Sequence, residues 1–219
     1  KNLICYIYRM AISFTEENYL KVIHRLSEAT QEDISTNAVA EQMQTKAASV
    51  TDMLRKLADK GWVNYQKYQG VRLSPTGEKI ALSIVRKHRL WELFLVEKMG
   101  FNWDEVHDIA EQLEHIESDE LVNKLDEYLG FPKTDPHGDP IPNKDGILPE
   151  LAYSQLSDIK ANKTCKLMGV AQDSTVFLQL LTKLNLSLGA KLDIHEINEF
   201  DRSIFVSIND ASPIFISHE

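Results

Sequence analysis

The stretch Thr36-Asn-Ala-Val-Ala-Glu-Gln-Met-Gln-Thr-Lys-Ala-Ala-Ser-Val-Thr-Asp-Met-Leu-Arg-Lys-Leu-Ala-Asp-Lys-Gly61-Trp-Val-Asn-Tyr-Gln-Lys-Tyr-Gln-Gly-Val-Arg-Leu73 decides the fold. Ala38, Val39 and Met43 share one face of a short helix over Thr36–Met43. Thr45 is placed to cap a second helix over about Lys46–Lys60, with Val50, Met53, Leu54 and Leu57 at helical spacing. Gly61 stands where a helix ends in a left-handed residue. Two β-rich runs, 62–68 and 71–73, join at Gln69-Gly70 as a hairpin. Helix, short turn, helix, hairpin is the order of a winged helix-turn-helix.

In that motif the second helix enters the major groove and the hairpin touches the DNA backbone. The exposed face of the second helix offers Lys46, Ser49, Thr51, Asp52, Arg55 and Lys56. Short hydroxyls and cations suit base edges and phosphates. Lys67, Tyr68 and Arg72 of the hairpin add phosphate contacts to the expected set. A solvated helix face, or a winged helix that docks protein, is the alternative from this pattern alone.

Outward from this stretch the chain stays helical. Ser13 and Glu16 form the capping-box pattern ahead of Tyr19, Leu20, Ile23 and Leu26. Ser74-Pro75 opens a long helix ending at Gly100. Asn102 with Glu105 is expected to cap a helix to about Ile116, and Ser118 another ending at Gly130. Five of the seven prolines fall in residues 131–149, which read as a Pro-ordered linker. Beyond it, 191–197 and 203–208 alternate with period two, and 178–184 suits one short helix. The fold expected is mainly α with small β. It has a winged domain over 13–75, a helical domain over 76–142, and a linker with a small β-rich domain over 143–219.

The 219 residues carry a net charge of −9, unevenly spread. Residues 1–75 hold ten Lys and Arg against eight Asp and Glu; residues 76–150 hold eight against seventeen. The acidity argues against nonspecific nucleic-acid binding by the whole chain but leaves the first third free to bind locally. No apolar run approaches the ~20 residues of a membrane span. Two cysteines exclude a disulfide framework and a Cys-rich zinc site, and fit a reducing, cytoplasmic setting. Residues 1–12 lack a signal-peptide cleavage pattern, and Met10 is the expected natural start.

The acidic third contains the second constellation. His107, Glu111, Glu114 and His115 follow i, i+4, i+7, i+8 and fall on one helix face. His88 and Glu92 repeat the i, i+4 spacing on the preceding helix. Imidazoles and carboxylates without thiolate suit Mn²⁺, Fe²⁺, Co²⁺, Ni²⁺ or Zn²⁺. For a single such pair a charged, solvated face is the commoner outcome; six residues on two helices shift the balance. His24, His195 and His218 stand alone and read as structural or exposed, and His137 as a turn residue of the linker.

Arg86-Lys-His-Arg-Leu-Trp-Glu-Leu-Phe-Leu, Val106-His-Asp-Ile-Ala-Glu-Gln-Leu-Glu-His, Asp135-Pro-His-Gly-Asp-Pro-Ile-Pro, Ala48-Ser-Val-Thr-Asp-Met-Leu and Leu73-Ser-Pro-Thr-Gly together resemble the diphtheria-toxin-repressor family of metal-dependent transcriptional regulators. The resemblance implies a homodimer that binds palindromic operator DNA when Mn²⁺ or Fe²⁺ is bound, and a C-terminal SH3-like β-barrel domain. It assigns Glu111, Glu114 and His115 to the main metal site, with Asn18 as an N-terminal ligand. It assigns His88, Glu92 and His107 to a second cluster, and Asp173 to a carboxylate from the C-terminal domain. Glu111 stands where iron-type members often carry Cys, which points to manganese. Lys21 stands where a manganese-type member can supply a carboxylate, which an ammonium cannot replace. No membrane and no small organic substrate is implied. A metal-dependent hydrolase is the rival class, although the sequence has no His-Glu-x-x-His.

Overall fold

The computed structural model describes residues 12–28, 30 and 32–217. The expected start at Met10, Cys5 and His218 lie outside the described residues. Internal packing divides the chain into two compact units, one ending at Val85 and one beginning at Arg86.

In the first unit, α1 (Phe14–Glu28) opens with the predicted box: the Ser13 N–H donates to Glu16 Oε2 at 2.9 Å and the Glu16 N–H to Ser13 Oγ at 3.3 Å. Ser35 caps α2 (Thr36–Gln42) through the Ala38 N–H. The cap expected of Thr45 belongs instead to Lys46, without a side-chain bond, ahead of α3 (Ala47–Asp59). The Thr45 N–H is already spent on the Ala40 carbonyl, which tightens the turn between the helices. The hairpin is β1 (Val63–Gln66) and β2 (Gly70–Leu73), antiparallel with Val63 opposite Leu73. Its turn lies at 67–69, earlier than the expected Gln69-Gly70, with Tyr68 at φ 71°. Ile34 adds a bridge to Val71. Leu20 and Ile23 of α1, Val39 of α2, Leu54 and Leu57 of α3 and Val71 of β2 are fully buried together. Each such side chain contributes about 1.5–3 kcal/mol of burial.

Helix α4 (Pro75–Met99) has the predicted length, and its residues from Arg86 onward belong to the second unit. There α5 (His107–Leu113) and α6 (Asp119–Tyr128, capped by Ser118) follow. Leu90 and Leu93 of α4 pack with Val122 and Leu125 of α6 and Ile141. The buried Arg86 guanidinium is neutralised by Asp126 at 2.7 Å and also donates to Asn123. Helix α5 starts five residues later than its predicted cap. Asn102 does donate to Glu105, but the Trp103 carbonyl is taken by His137 and so leaves the helical ladder.

The C-terminal part of this unit is a four-stranded antiparallel sheet, β3 (Lys163–Lys166), β4 (Lys191–Ile197), β5 (Ile204–Ile208) and β6 (Ile214–Ile216), in that order. A bulge between Ile194 and Glu196 bends β4. Helix α7 (Thr175–Lys183) packs Leu181 against Leu192, Ile194 and Val206 of the sheet. Among the described residues no helix is long and apolar enough to cross a membrane.

Candidate metal centre

One residue organises the site. Glu92 projects from the middle of α4, is 2 % exposed, and faces three imidazoles. Its Oε1 lies 3.0 Å from His88 Nε2, one helical turn earlier, and 3.4 Å from His107 Nδ1 at the start of α5. Its Oε2 lies 3.6 Å from His137 Nδ1. Burial alone would raise the Glu92 carboxyl; hydrogen bonds from His107, His137 and His88 overcome this and hold it well below the usual carboxylate range.

The other ring nitrogen of His88, Nδ1, is 2.7 Å from Glu114 Oε2, and Glu114 has no solvent exposure. Glu111 Oε1 stands 4.0 Å from His88 Nδ1 and 3.7 Å from His107 Nε2. His88 thus stands between two carboxyl groups, one at each ring nitrogen.

Asp135 and His137 complete the cluster from the Pro-rich segment, each 3 % exposed. His137 does stand in a turn, as expected, but its ring is buried against Glu92. Asp135 Oδ1 accepts the main-chain N–H groups of His137 and Asp139, a turn that aims the imidazole inward. The imidazole Nε2–H donates to the Trp103 carbonyl at 2.8 Å, so Nδ1 is the atom turned to Glu92. Burial, which lowers the His137 pKa, is outweighed by the hydrogen bond and charge of Glu92, by Trp103 and by Asp135, which lift it to about 9. Burial, then the charges of Glu92 and Asp139, push Asp135 up to about 7 against the pull of His137 and Arg89. Protons are therefore held where a divalent ion would compete with them.

Three sets of donors converge, each with its atoms within 4.8 Å of one another: His88, Glu92 and His107; His88, Glu111 and Glu114; and Glu92, Asp135 and His137. Donors around one ion at about 2.1 Å lie no more than about 4.2 Å apart. All the donors are nitrogen or oxygen, which fits a divalent transition metal of the Mn²⁺ to Zn²⁺ range. Because His88 and Glu92 each serve two sets, filling one draws on the donors of another.

Of the eight expected ligands, five are gathered here: His88, Glu92, His107, Glu111 and Glu114. His115 is not in the gathered sets. Helix α5 ends at Leu113 with Glu114 as C-cap, and His115 lies in the turn just beyond it. Asp173, half-buried just before α7, is also outside them. Asn18 belongs to the first unit, where its Oδ1 is buried without a hydrogen-bond partner. Asp135 and His137 were missed as donors: the Asp-Pro-His spacing lies in a Pro-rich segment and does not by itself show that both are buried against Glu92. Arg89 turns to Asp135, Asp139 and the Pro140 carbonyl.

On the winged unit, Lys46, Ser49, Asp52, Arg55 and Lys56 of α3 and Lys67 and Arg72 of the hairpin are exposed, and Thr51 is half-buried. Several are already engaged. Lys56 Nζ is 3.1 Å from the buried Glu16, which also binds Lys60. Arg55 pairs with Asp52, Arg72 with Asp33, and the Thr51 hydroxyl donates to the Ala47 carbonyl. Lys67 Nζ covers the Tyr68 ring at 4.8 Å. His24, expected to be structural, is buried beside Glu78 and Glu28, and His195 bonds Ser207.

Two family models match the chain. One, for the N-terminal DNA binding domain of iron dependent repressors, covers residues 12–71; the other, for their metal binding and dimerisation domain, covers 74–143. The diphtheria toxin repressor of Corynebacterium glutamicum is 28 % identical over 208 residues, 90 % of each chain. The iron-dependent repressor IdeR of Mycobacterium leprae is 31 % identical over 128 residues, 58 % of this chain and 55 % of that one. A solved manganese-dependent transcriptional repressor in complex with manganese superposes with a TM-score of 0.79 at 38 % identity, covering 92 % of both chains.

Proposed function

The chain belongs to the iron-dependent repressor family, and we propose that it is a metal-activated repressor of metal-uptake genes, binding palindromic operator DNA as a homodimer in the cytoplasm. The carrying observation is the convergence of His88, Glu92, His107, Glu111 and Glu114, with Asp135 and His137, on thiolate-free donor sets. The ion is Mn²⁺ or Fe²⁺, which carboxylate and imidazole donors both suit. The proposed modules are DNA binding over 13–75, metal binding and dimerisation over 76–142, and the linker with the sheet domain over 143–219. The relatives described above are named as repressors, which gives the hydrolase alternative no support.

Glu111 and Glu114, with His88, form the regulatory group; Glu92 organises the second, with His107 and with Asp135 and His137. Asn18, His115 and Asp173 are retained as candidate ligands from the family resemblance. A bound ion supplies positive charge that neutralises crowded carboxylates and fixes the residues donating to it. DNA affinity rises only if the ion binds the DNA-competent state more tightly. The coupling is reciprocal, so operator DNA tightens metal binding by the same factor. In the dimer the two α3 helices read half-sites about 34 Å apart. Lys46, Ser49, Thr51, Asp52 and Arg55 face the bases and backbone, with Lys56, Lys67 and Arg72 at the edge.

Glu114→Gln tests the reading. It keeps the volume of a fully buried side chain and removes the charge. Metal-dependent operator binding should disappear while the dimer persists in sedimentation. Retained metal-dependent binding would assign the ion elsewhere.

A further inference from the structure

The segment that carries His137 is held from outside by the C-terminal sheet domain. Trp103 stacks on His137, with ring centroids 6.1 Å apart and planes 17° from parallel, while its carbonyl accepts the His137 Nε2–H. The indole Nε1–H of the same residue donates to Thr182 Oγ1 on α7 at 3.0 Å. Next to it, Gln179 of α7 donates to Asp104 at 3.0 Å. The main chain is clamped as well. The Val170 N–H donates to the His137 carbonyl at 2.9 Å. Gly138, at φ +93°, lies so close to the segment before α7 that a Cβ there would sit 2.3 Å from both Gly169 Cα and the Met168 carbonyl.

We propose that Trp103 is a positioning residue for His137, and that through it and the Gly138–Gly169 contact the C-terminal domain sets the metal affinity of the Glu92–Asp135–His137 group. The inference rests on reading these three residues as metal donors. Its chemistry is that of an outer hydrogen bond to a ligating imidazole. A carbonyl cannot donate, so the Trp103 oxygen fixes the proton on Nε2 and leaves Nδ1 to the ion. The stacked indole sets the plane of the ring. Thr182 in turn sets the indole, so the position of α7 becomes part of the site. Trp103 and Thr182 donate nothing to the metal themselves.

The test is calorimetric titration of the full chain with Mn²⁺, comparing Trp103→Phe, Thr182→Val, Thr182→Ser, Gly138→Ala and His137→Ala. Trp103→Phe keeps the carbonyl and an aromatic ring but loses the N–H. Thr182→Val loses the acceptor, together with the hydroxyl's own bond to the Leu178 carbonyl within α7. Each should weaken one Mn²⁺ binding event about three- to tenfold, the scale of one lost hydrogen bond. Their double variant should weaken it no further, because both remove the same contact. Thr182→Ser should restore wild-type affinity. Gly138→Ala should weaken the same event more strongly, and His137→Ala should abolish it. Hydrogen exchange gives the second readout: Mn²⁺ should slow the amides of α7 in wild type and Thr182→Ser, and not in Thr182→Val. If His137→Ala loses a binding event while Thr182→Val and Gly138→Ala bind as wild type, the positioning role is overturned and the donor reading stands. If His137→Ala binds Mn²⁺ unchanged, the donor reading fails and takes the proposal with it.

Discussion

Glu16→Gln probes how the winged unit holds its recognition helix. The Glu16 carboxylate is 1 % exposed on α1, with Lys60 against Oε1, Lys56 at 3.1 Å and the Ser13 N–H on the other oxygen. Burial, which raises its pKa, is outweighed by Lys60, Ser13 and Lys56, which hold it at about 2 instead of 4.5. That difference is worth about 3 kcal/mol at neutral pH. The Lys56 side chain is 56 % exposed, so water screens its share and about 2–3 kcal/mol is the working value. The group is depressed on folding, so its contribution is present above the free value of 4.5 and is lost as pH falls through about 2. Urea unfolding of wild type and variant should differ by about 2–3 kcal/mol at pH 7, the gap shrinking to less than half by about pH 3. A gap under about 0.5 kcal/mol at pH 7, or one constant between pH 7 and 3, would refute the reasoning. Gln also releases Lys56 and Lys60, so the dependence of DNA binding on salt should become no shallower.

Lys46→Ala removes an exposed cation at the N-cap of α3 and should reduce the salt slope of DNA binding by ~1, uniformly across sequences, in anisotropy titrations. Gly77→Ala places a Cβ 1.9 Å from the Trp62 carbonyl, which also accepts the Ser74 N–H. It should cost about 2 kcal/mol or more, read as a lower urea midpoint. Mn²⁺ at about 100 times its Kd should stabilise the protein by ~2.7 kcal/mol, reversed by chelator and reduced in Glu92→Gln, as followed by thermal unfolding.

Local chemistry made much of the fold legible. The Ser13–Glu16 box, the Pro75 start, the Ser118 cap and the helical face of α3 are short-range patterns, and each forms. The winged order of elements follows from them. Five of the seven gathered donors were legible for the same reason: His88 with Glu92, and His107 with Glu111 and Glu114, recur at helical spacing. His137 was not, because its place is set by Glu92 and Trp103, distant in sequence, inside a segment whose prolines suggest only a linker. The late start of α5 has the same origin, since the carbonyl His137 takes is one the helix would have used. Lys56 points outward by periodicity, yet a buried carboxylate on another helix claims it. Pairings between distant residues decide these cases, and no local pattern encodes them.

The most direct test of the central claim is a fluorescence-anisotropy titration of the full chain on promoter DNA from metal-transporter genes of its own genome. It is run with chelator, with Mn²⁺, with Fe²⁺ under anaerobic conditions, and with Zn²⁺. The account predicts tight binding that appears only with metal, with Mn²⁺ effective and chelator reversing it. Equal binding with chelator and with metal would contradict it, leaving a DNA-binding protein whose converging carboxylates and imidazoles serve another purpose.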